Sequence, residues 1–239
     1  MHLTWERLTD RAYRTRLPFC DVTVGLVWGS GGALLVDTGS TLTEAAAIEA
    51  DVRRLAGGPV THIVLTHKHF DHVLGSSAFA GADVYCTPGV ADALSSATGE
   101  LREDALRHGA EPRAIDRAIA ALRCPERGLY DAVIDLGDRT VVVAHPGRGH
   151  TTSDLVVVAA GTNPGDPVVV FTGDLIEESG DPAIDADSDL ASWPASLDRV
   201  LALGGSEALY VPGHGSVVDA EFVRRQRDWL SRRAAIRPQ

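Results

Sequence analysis

Residues 60–72, VTHIVLTHKHFDH, decide how the rest of the sequence is interpreted, because an apolar strand-like run ends there in a dense group of polar side chains. The group contains His67, His69, Asp71 and His72. Neutral imidazole and carboxylate are ligands of zinc and related divalent cations. In an extended segment His67 and His69 project to the same side, whereas the adjacent Asp71 and His72 need a turn to face one cavity. The spacing predicts a metal site, and two ions fit it better than one.

A βαβ unit leads into this segment. Two β-rich runs around the turn GSGG predict an antiparallel hairpin: Thr23–Trp28 and Ala33–Val36. Asp37 follows the second run, and residues 41–55 have helical content, with Thr41 and Glu44 spaced as a capping box and a glycine pair beginning at Gly57 as the stop. Asp37 and the histidines therefore lie at the C-terminal ends of neighbouring strands, where open α/β sheets place their ligands.

The middle of the chain predicts a helical excursion at about residues 88–124, after a short strand over Asp83–Cys86. Pro112 stands where a helix would start. The excursion is too short for a core of its own, so we expect it to cover the site or a sheet edge. Four β-rich runs then predict a second, largely antiparallel sheet: residues 132–136, 140–145, 155–160 and 168–171.

The last quarter repeats the order of the first. A strand ends at Asp174, a helix covers about residues 189–203, and a strand over residues 208–211 leads to His214. Residues 217–234 predict a closing amphipathic helix. This weak internal repeat predicts two similar halves that face each other. Metal ligands would come from strand ends of both halves.

Composition bounds the class of protein. A chain of 239 residues with 44% hydrophobic residues can bury one substantial core, so we expect a single domain over residues 1–239. The formal net charge of −11 disfavours phosphate backbones and anionic membrane surfaces. We therefore expect a small-molecule substrate, with neither nucleic acid nor membrane as a partner. The sequence leaves the oligomeric state open.

The cysteines and the first residues bear on the compartment. Cys20, Cys86 and Cys124 are odd in number, widely spaced and without a CxxC pair, which predicts neither a disulfide framework nor a thiolate zinc site. The first residues are charged and contain no apolar segment of signal-peptide type, and no run approaches the roughly 18 apolar residues of a membrane helix. A cytoplasmic location is the expectation.

Three further motifs follow β-rich runs: GRGHTTSD at residues 147–154, TGD at 172–174 and PGHG at 212–215. Together with HKHFDH and the earlier VDTG, they resemble the sequence landmarks of the metallo-β-lactamase superfamily in order and residue type. The resemblance implies an α/β fold, a four-layer αβ/βα sandwich of two mixed β-sheets flanked by helices, with a dinuclear site at one edge.

The resemblance also implies a ligand set. The first metal would be held by His67, His69 and His150, and the second by Asp71, His72 and His214, with Asp174 as the bridge. The ions would be two divalent metals, with zinc the first choice and iron or manganese compatible with the same ligand types. Asp71 would also be catalytic, by orienting the nucleophile.

Departures from individual subfamilies narrow this interpretation. An aspartate, Asp174, stands where the secreted zinc β-lactamases use a cysteine, and His69 stands where flavodiiron proteins have a glutamate. The ligand set is similar to that of glyoxalase II, but its C-terminal helical domain is not evident. The stretch DSDLASW at residues 187–193 looks more like the compact bacterial hydrolases called cyclase-like.

The resulting expectation is a metal-dependent hydrolase. A hydroxide bridging the two ions would cleave a small ester, thioester or lactone- or lactam-like substrate. A mononuclear iron persulfide (sulfur) dioxygenase is the enzymatic alternative, and a non-catalytic binding protein is the third interpretation. The complete ligand set disfavours the third.

Residues around the ligands receive supporting roles. Asp37 is expected to orient a ligand histidine, with a strand-ending turn as its structural alternative. Arg148 is a candidate for an anionic substrate group or for a surface salt bridge, and Phe19 for an apolar wall near the mouth of the site. Alternation predicts that Lys68 and Phe70 point away from the metals, towards the core or a neighbouring loop. His108 and His2 are expected at the surface.

Overall fold

The strand that leads into the ligand segment lies inside a seven-stranded sheet. The computed structural model describes residues 2–123, 125 and 127–236. Cys124, one of the three cysteines of the sequence, lies outside these described residues. The strands of this sheet are β1 Trp5–Thr9, β2 Ala12–Arg16, β3 Thr23–Trp28, β4 Ala33–Val36, β5 His62–Val64, β6 Asp83–Cys86 and β7 Arg127–Gly128. They are neighbours in sequence order, antiparallel from β1 to β4 and parallel from β4 to β7.

The second sheet has five strands in the order β12-β11-β10-β9-β8. Its strands are β8 Asp131–Asp135, β9 Thr140–Ala144, β10 Val156–Ala159, β11 Val169–Glu177 and β12 Leu209–His214. Only β11 and β12 are parallel, and the other pairs are antiparallel. The prediction of two mixed sheets, the second largely antiparallel, is confirmed.

Seven helices accompany the sheets within the described residues. They are α1 Leu42–Ala56, α2 Phe70–Val73, α3 Pro88–Ser96, α4 Thr98–Arg107, α5 Pro112–Ala121, α6 Trp193–Gly204 and α7 Ala220–Ile236. The capping box at α1 is present, because Thr41 Oγ1 accepts from the Glu44 amide at 3.2 Å and Glu44 Oε2 accepts from the Thr41 amide at 2.9 Å. Pro112 is the first residue of α5, as its position predicted. None of the described helices combines the length and apolar character needed to cross a bilayer.

Three buried apolar clusters hold these layers together. One lies between the sheets and contains Val27 and Val36 from the first sheet and Phe171 and Val211 from the second. The others lie between each sheet and its helices, as where Trp193 of α6 packs with the outer face of the second sheet. The layer order is therefore helix, sheet, sheet, helix, the four-layer sandwich that the sequence predicted.

Two features differ from the prediction. The N-terminal hairpin β1–β2 was missed, because each strand carries two charged residues among five and lacks a continuous apolar signal. Its Arg14 is buried, pairs with Glu6 at 2.7 Å and donates to the Gly215 carbonyl at 2.7 Å. Strand β11 does not end at Asp174, as predicted, but continues to Glu177, because its pairing with β12 shifts register around Gly173 and then resumes.

The close approach of the two sheets at Gly25 is testable. A Cβ at this position would lie 2.5 Å from Phe171 Cε1, and the ring is buried in the core between the sheets. We expect Gly25→Ala to lower the free energy of unfolding by about 1–3 kcal/mol, because the ring has no space to yield. Urea unfolding measures this, with Gly58→Ala as the control, since its Cβ would meet nothing within 4 Å. Equal stability of the two variants would contradict this packing.

Candidate metal centre

The turn at α2 brings the ligand segment to one point. After β5 the chain bends at residues 67–68, His69 has φ and ψ of −68° and 147°, and the His72 amide then donates to the His69 carbonyl at 3.1 Å. This turn lets the adjacent Asp71 and His72 face the same cavity. The remaining members arrive from the turn before β10, from β11 and from the end of β12, as His150, Asp174 and His214.

The seven residues form two adjoining groups, in each of which the ligand atoms lie within 4.8 Å of one another. The first group contains His67, His69, His150 and Asp174, and the second contains Asp71, His72 and His214.

Asp174 contacts both groups. Its Oδ2 lies 3.5 Å from His150 Nε2 and 3.4 Å from His214 Nε2, and its Oδ1 lies 3.3 Å from His72 Nε2. His214 Nε2 also lies 3.5 Å from Asp71 Oδ2. The carboxylate of Asp174 therefore stands between two sets of imidazoles.

A second carboxylate, Asp37, supports the rings from behind. Its Oδ2 accepts from His72 Nδ1 at 2.8 Å and from Thr66 Oγ1 at 2.8 Å, and its Oδ1 accepts from the Thr66 amide at 2.8 Å. Because the Thr66 hydroxyl donates to Asp37, it accepts from His67 Nδ1, at 3.0 Å. Asp37 adopts a left-handed backbone conformation, with φ of 61°. One buried carboxylate thus fixes the orientation of one histidine in each group.

The other rings also turn their outer nitrogens to acceptors. His150 Nδ1 lies 3.2 Å from the Ala183 carbonyl, and His214 Nδ1 lies 2.8 Å from the Cys20 carbonyl. In the neutral form of such a ring, an acceptor at the nitrogen that points away from the centre keeps the proton there. The nitrogen that faces the centre then has a free lone pair. The imidazoles are therefore arranged as ligands.

Buried polar atoms at the centre lack partners. Within the described residues, His67 Nε2, His72 Nε2 and Asp174 Oδ1 are buried without a hydrogen bond. Each buried unpaired polar group costs about 1–3 kcal/mol, so three at one point call for a further group that binds them. Imidazole nitrogens and carboxylate oxygens suit zinc, iron or manganese. The residues therefore fit a metal site.

The electrostatics of the cluster divide the histidines into two kinds. Burial lowers the pKa of His67 and of His150, so these rings are neutral at neutral pH. Burial opposes protonation of His69, His72 and His214 as well, but nearby carboxylates outweigh it. Asp187 and Asp174 raise the pKa of His69. Asp174 and Asp71 raise the pKa of His72 well above its ordinary value and that of His214 to about 9. The imidazoles in turn hold the pKa of Asp174 well below its ordinary value, although burial alone would raise it.

A cavity of about 860 Å³ opens over this centre. Its floor includes His69, Asp71, His150, Asp174 and His214. Its walls come from α3 and α4 and from the loop that follows β11. The helical excursion therefore does cover the site, as one of the two predicted alternatives.

The two residues predicted to contact substrate are not among the described residues that line this cavity. The side chain of Arg148 is 63% exposed, with Nη1 3.9 Å from Asp189 Oδ2, because its backbone carbonyl is tied to the Ser196 hydroxyl. This matches the alternative of a surface salt bridge. Phe19 packs against Phe70, with ring centroids 6.2 Å apart, at the edge of the apolar core.

Sequence reasoning missed Lys68 and Asp187. Lys68 Nζ lies 3.0 Å from Asp187 Oδ2 in the loop after β11, so the side chain reaches a neighbouring loop, as one of the two predicted alternatives. Lys68 and Asp187 also line the cavity, which the sequence did not predict. Phe70 does enter the core as predicted, whereas His108, although exposed as expected, lines the cavity beside it. Asp187 belongs to the DSDLASW stretch, and the resemblance of this stretch to the cyclase-like hydrolases was a signal that could have drawn attention to Asp187.

The comparisons with known proteins identify the class. The family model of the metallo-beta-lactamase superfamily matches residues 17–214, and the chain belongs to this superfamily. The histidine and aspartate cluster lies within the residues that this family model matches.

Individual proteins are similar to the chain at modest sequence identity. The chain is 31% identical over 194 residues to metallo-beta-lactamase domain-containing protein 1 of Homo sapiens, a match that covers 77% of this chain and 58% of that protein. It is 29% identical over 129 residues to metallo-beta-lactamase type 2 of Bacteroides fragilis, covering 52% of this chain and 50% of the relative. The chain thus spans between half and two thirds of the length of these relatives.

Solved structures show the same fold. A metallo-beta-lactamase from Pontibacter korlensis superposes with a TM-score of 0.72 at 21% identity, over 96% of this chain and 99% of that one. A metallo-beta-lactamase from Hirschia baltica gives 0.67 at 18% identity, over 100% of both. At such identities the likeness establishes the fold alone.

The raised pKa values predict proton release on metal binding. The raised pKa values of His69, His72 and His214 mean that these rings hold protons more tightly than free imidazole, and a cation can bind only after the protons leave. We expect zinc binding at pH 7 to release protons and the release to decrease above about pH 9, so that zinc affinity increases with pH over this range. Calorimetric zinc titration in buffers of different ionisation enthalpy measures it. Binding at pH 7 without proton release would contradict the assigned pKa shifts.

The support from Asp37 is tested by Asp37→Asn. Asparagine tolerates the left-handed backbone at this position but cannot accept with both oxygens, so His72 and Thr66 lose orientation. We expect zinc affinity to fall by roughly 10–100-fold in competition with a chelating dye. Asp51→Asn is the control, because Asp51 accepts from Trp5 Nε1 away from the cluster. Unchanged affinity in Asp37→Asn would rule out this role.

Proposed function

We propose that the chain is a dinuclear hydrolase that holds two divalent cations, zinc in the first instance, and cleaves a small ester, thioester or lactone- or lactam-like substrate. The observation that carries the proposal is the position of Asp174 between two groups of ligand atoms. A single mononuclear site would leave the second group, including the buried His72, without a function.

The proposed ligand assignment follows the two groups. His67, His69 and His150 would hold the first cation, and Asp71, His72 and His214 the second, with Asp174 shared. Bound there, the cations would supply a hydroxide nucleophile at neutral pH, because a metal ion lowers the pKa of bound water from about 15.7 to about 7.

The chain's own residues orient the reaction. Asp71 is buried at the cavity floor, where its carboxylate can accept a hydrogen bond from the nucleophile and so aim a lone pair at the acyl carbon. The bond between that carbon and the leaving oxygen, sulfur or nitrogen then breaks, and the leaving group takes up the proton that the nucleophile carried, so that the acid is released as its carboxylate. Thr66 and Asp37 keep His67 and His72 in place throughout.

Hydrolysis by ligand variants tests the proposal. We expect Asp174→Ala and His150→Ala to lower kcat/KM by more than about 100-fold, since even outer-shell changes at metal sites cost 10–100-fold. Turnover is measured with p-nitrophenyl acetate, an acyl thioester and a γ-lactone after zinc loading. His62→Gln and Asp83→Ala serve as controls, because His62 on β5 and Asp83 on β6 both lie outside the cluster.

The outcomes discriminate between reactions. Undiminished hydrolysis in both ligand variants would overturn the proposal. So would oxygen consumption with glutathione persulfide by iron-loaded protein that hydrolyses none of the three substrates, the result expected of the dioxygenase alternative.

A further inference from the structure

We propose that this cavity selects acyl substrates that carry a positive charge on the part remote from the scissile bond, and discriminates against anionic ones. The inference rests on the proposed hydrolase function and concerns the outer walls of the same site. Its basis is the pairing of the charged side chains that line them.

The cationic groups on the walls are already neutralised. Lys68 Nζ lies 3.0 Å from Asp187 Oδ2, and Arg107 Nη2 lies 2.9 Å from Asp104 Oδ1. Arg148 is directed away from the cavity, towards Asp189. Within the described residues, therefore, no lysine or arginine on these walls is free to bind a substrate carboxylate.

Two carboxylates, in contrast, face the cavity without a cationic partner. Glu100 in the first turn of α4 and Asp185 in the loop after β11 both line the cavity, and neither forms an ion pair among the described residues. Among the described residues, neither side chain forms a hydrogen bond or ion pair that a ligand would have to break. Both come from the segments that form the walls, so they meet the remote part of a substrate whose carbonyl lies at the floor.

The balance of charge on the walls is negative. Apart from the seven clustered residues, the lining contains five carboxylates against two cationic groups, a net charge of −3. Cations bound at the floor act on the carbonyl, whereas a charge on the remote part of the substrate interacts with these walls. A cavity lined by one sign of charge concentrates ligands of the opposite sign.

The same walls include an apolar strip, which would hold the body of such a substrate. Ala93 of α3, Ala97 and Leu101 line the cavity, and Phe70 lies beside them. Asp174 Oδ1, buried and without a hydrogen bond, marks the floor as the end at which the reacting group binds. The substrate class is thus an ester or thioester with an aliphatic chain that ends in an ammonium group.

A charge series tests the inference. The substrates are p-nitrophenyl esters of 4-(trimethylammonio)butanoate, of its neutral isostere 5,5-dimethylhexanoate and of glutarate as the anionic hemiester. With zinc-loaded protein we expect kcat/KM to be about tenfold higher for the cationic than for the neutral ester, and lowest for the anionic one. The preference should shrink in 0.5 M NaCl, about where the Debye length falls below 5 Å.

Variants assign the effect to the two carboxylates. In Glu100→Gln/Asp185→Asn the ratio of cationic to neutral kcat/KM should fall towards 1. The control, Glu103→Gln/Asp181→Asn, removes the same charge from equally exposed positions of the same helix and loop that lie outside the cavity lining, and should keep the ratio. Preference for the neutral or anionic ester, or an unchanged ratio in the first variant, would overturn the inference.

Binding separates this inference from the hydrolase proposal. The corresponding methyl ketones cannot be hydrolysed, and calorimetric titration of zinc-loaded protein reads their charge preference without turnover. Absence of hydrolysis of all three esters would contradict the hydrolase proposal alone, whereas equal affinity for the three ketones would contradict the charge preference alone.

Discussion

The carboxylate of Asp37 is the constraint on which the arrangement of the centre depends. It follows β4, with φ of 61°, and binds the backbone and side chain of Thr66 on the neighbouring strand end. Through this threonine and directly, it orients His67 and His72, one from each group of ligand atoms. A single buried side chain therefore couples the register of parallel strands β4 and β5 to the direction of two imidazoles. The fold and the site share this interaction, so neither is independent of the other.

The centre combines features that would be costly without a bound cation. Buried carboxylates and imidazoles lie within 4 Å of one another, and several of their polar atoms have no hydrogen bond. Proteins tolerate such clusters where charge is needed for function. The apolar layers between and outside the sheets supply the stability that holds the ligands in place, since most of the core lies away from the centre.

Much of this architecture was predictable because its signals are local. The capping box at Thr41, the proline that starts α5 and the dense ligand segment each act within a few residues. The β1–β2 hairpin was missed because its strands contain several charged residues. One of them, Arg14, is buried, and its charge is compensated there by hydrogen bonds to Glu6 and to the Gly215 carbonyl. The position of Lys68 depends on Asp187, which is distant in sequence. Contacts of this kind come from tertiary structure and leave no periodic pattern.

The proposed function requires seven side chains from both sheets to hold a pair of cations that share Asp174. X-ray diffraction from crystals grown with zinc tests this requirement, with anomalous data collected on both sides of the zinc absorption edge. We expect two anomalous peaks, one beside His67, His69 and His150 and the other beside Asp71, His72 and His214. A single peak, or zinc bound elsewhere while these side chains stay metal-free, would contradict it.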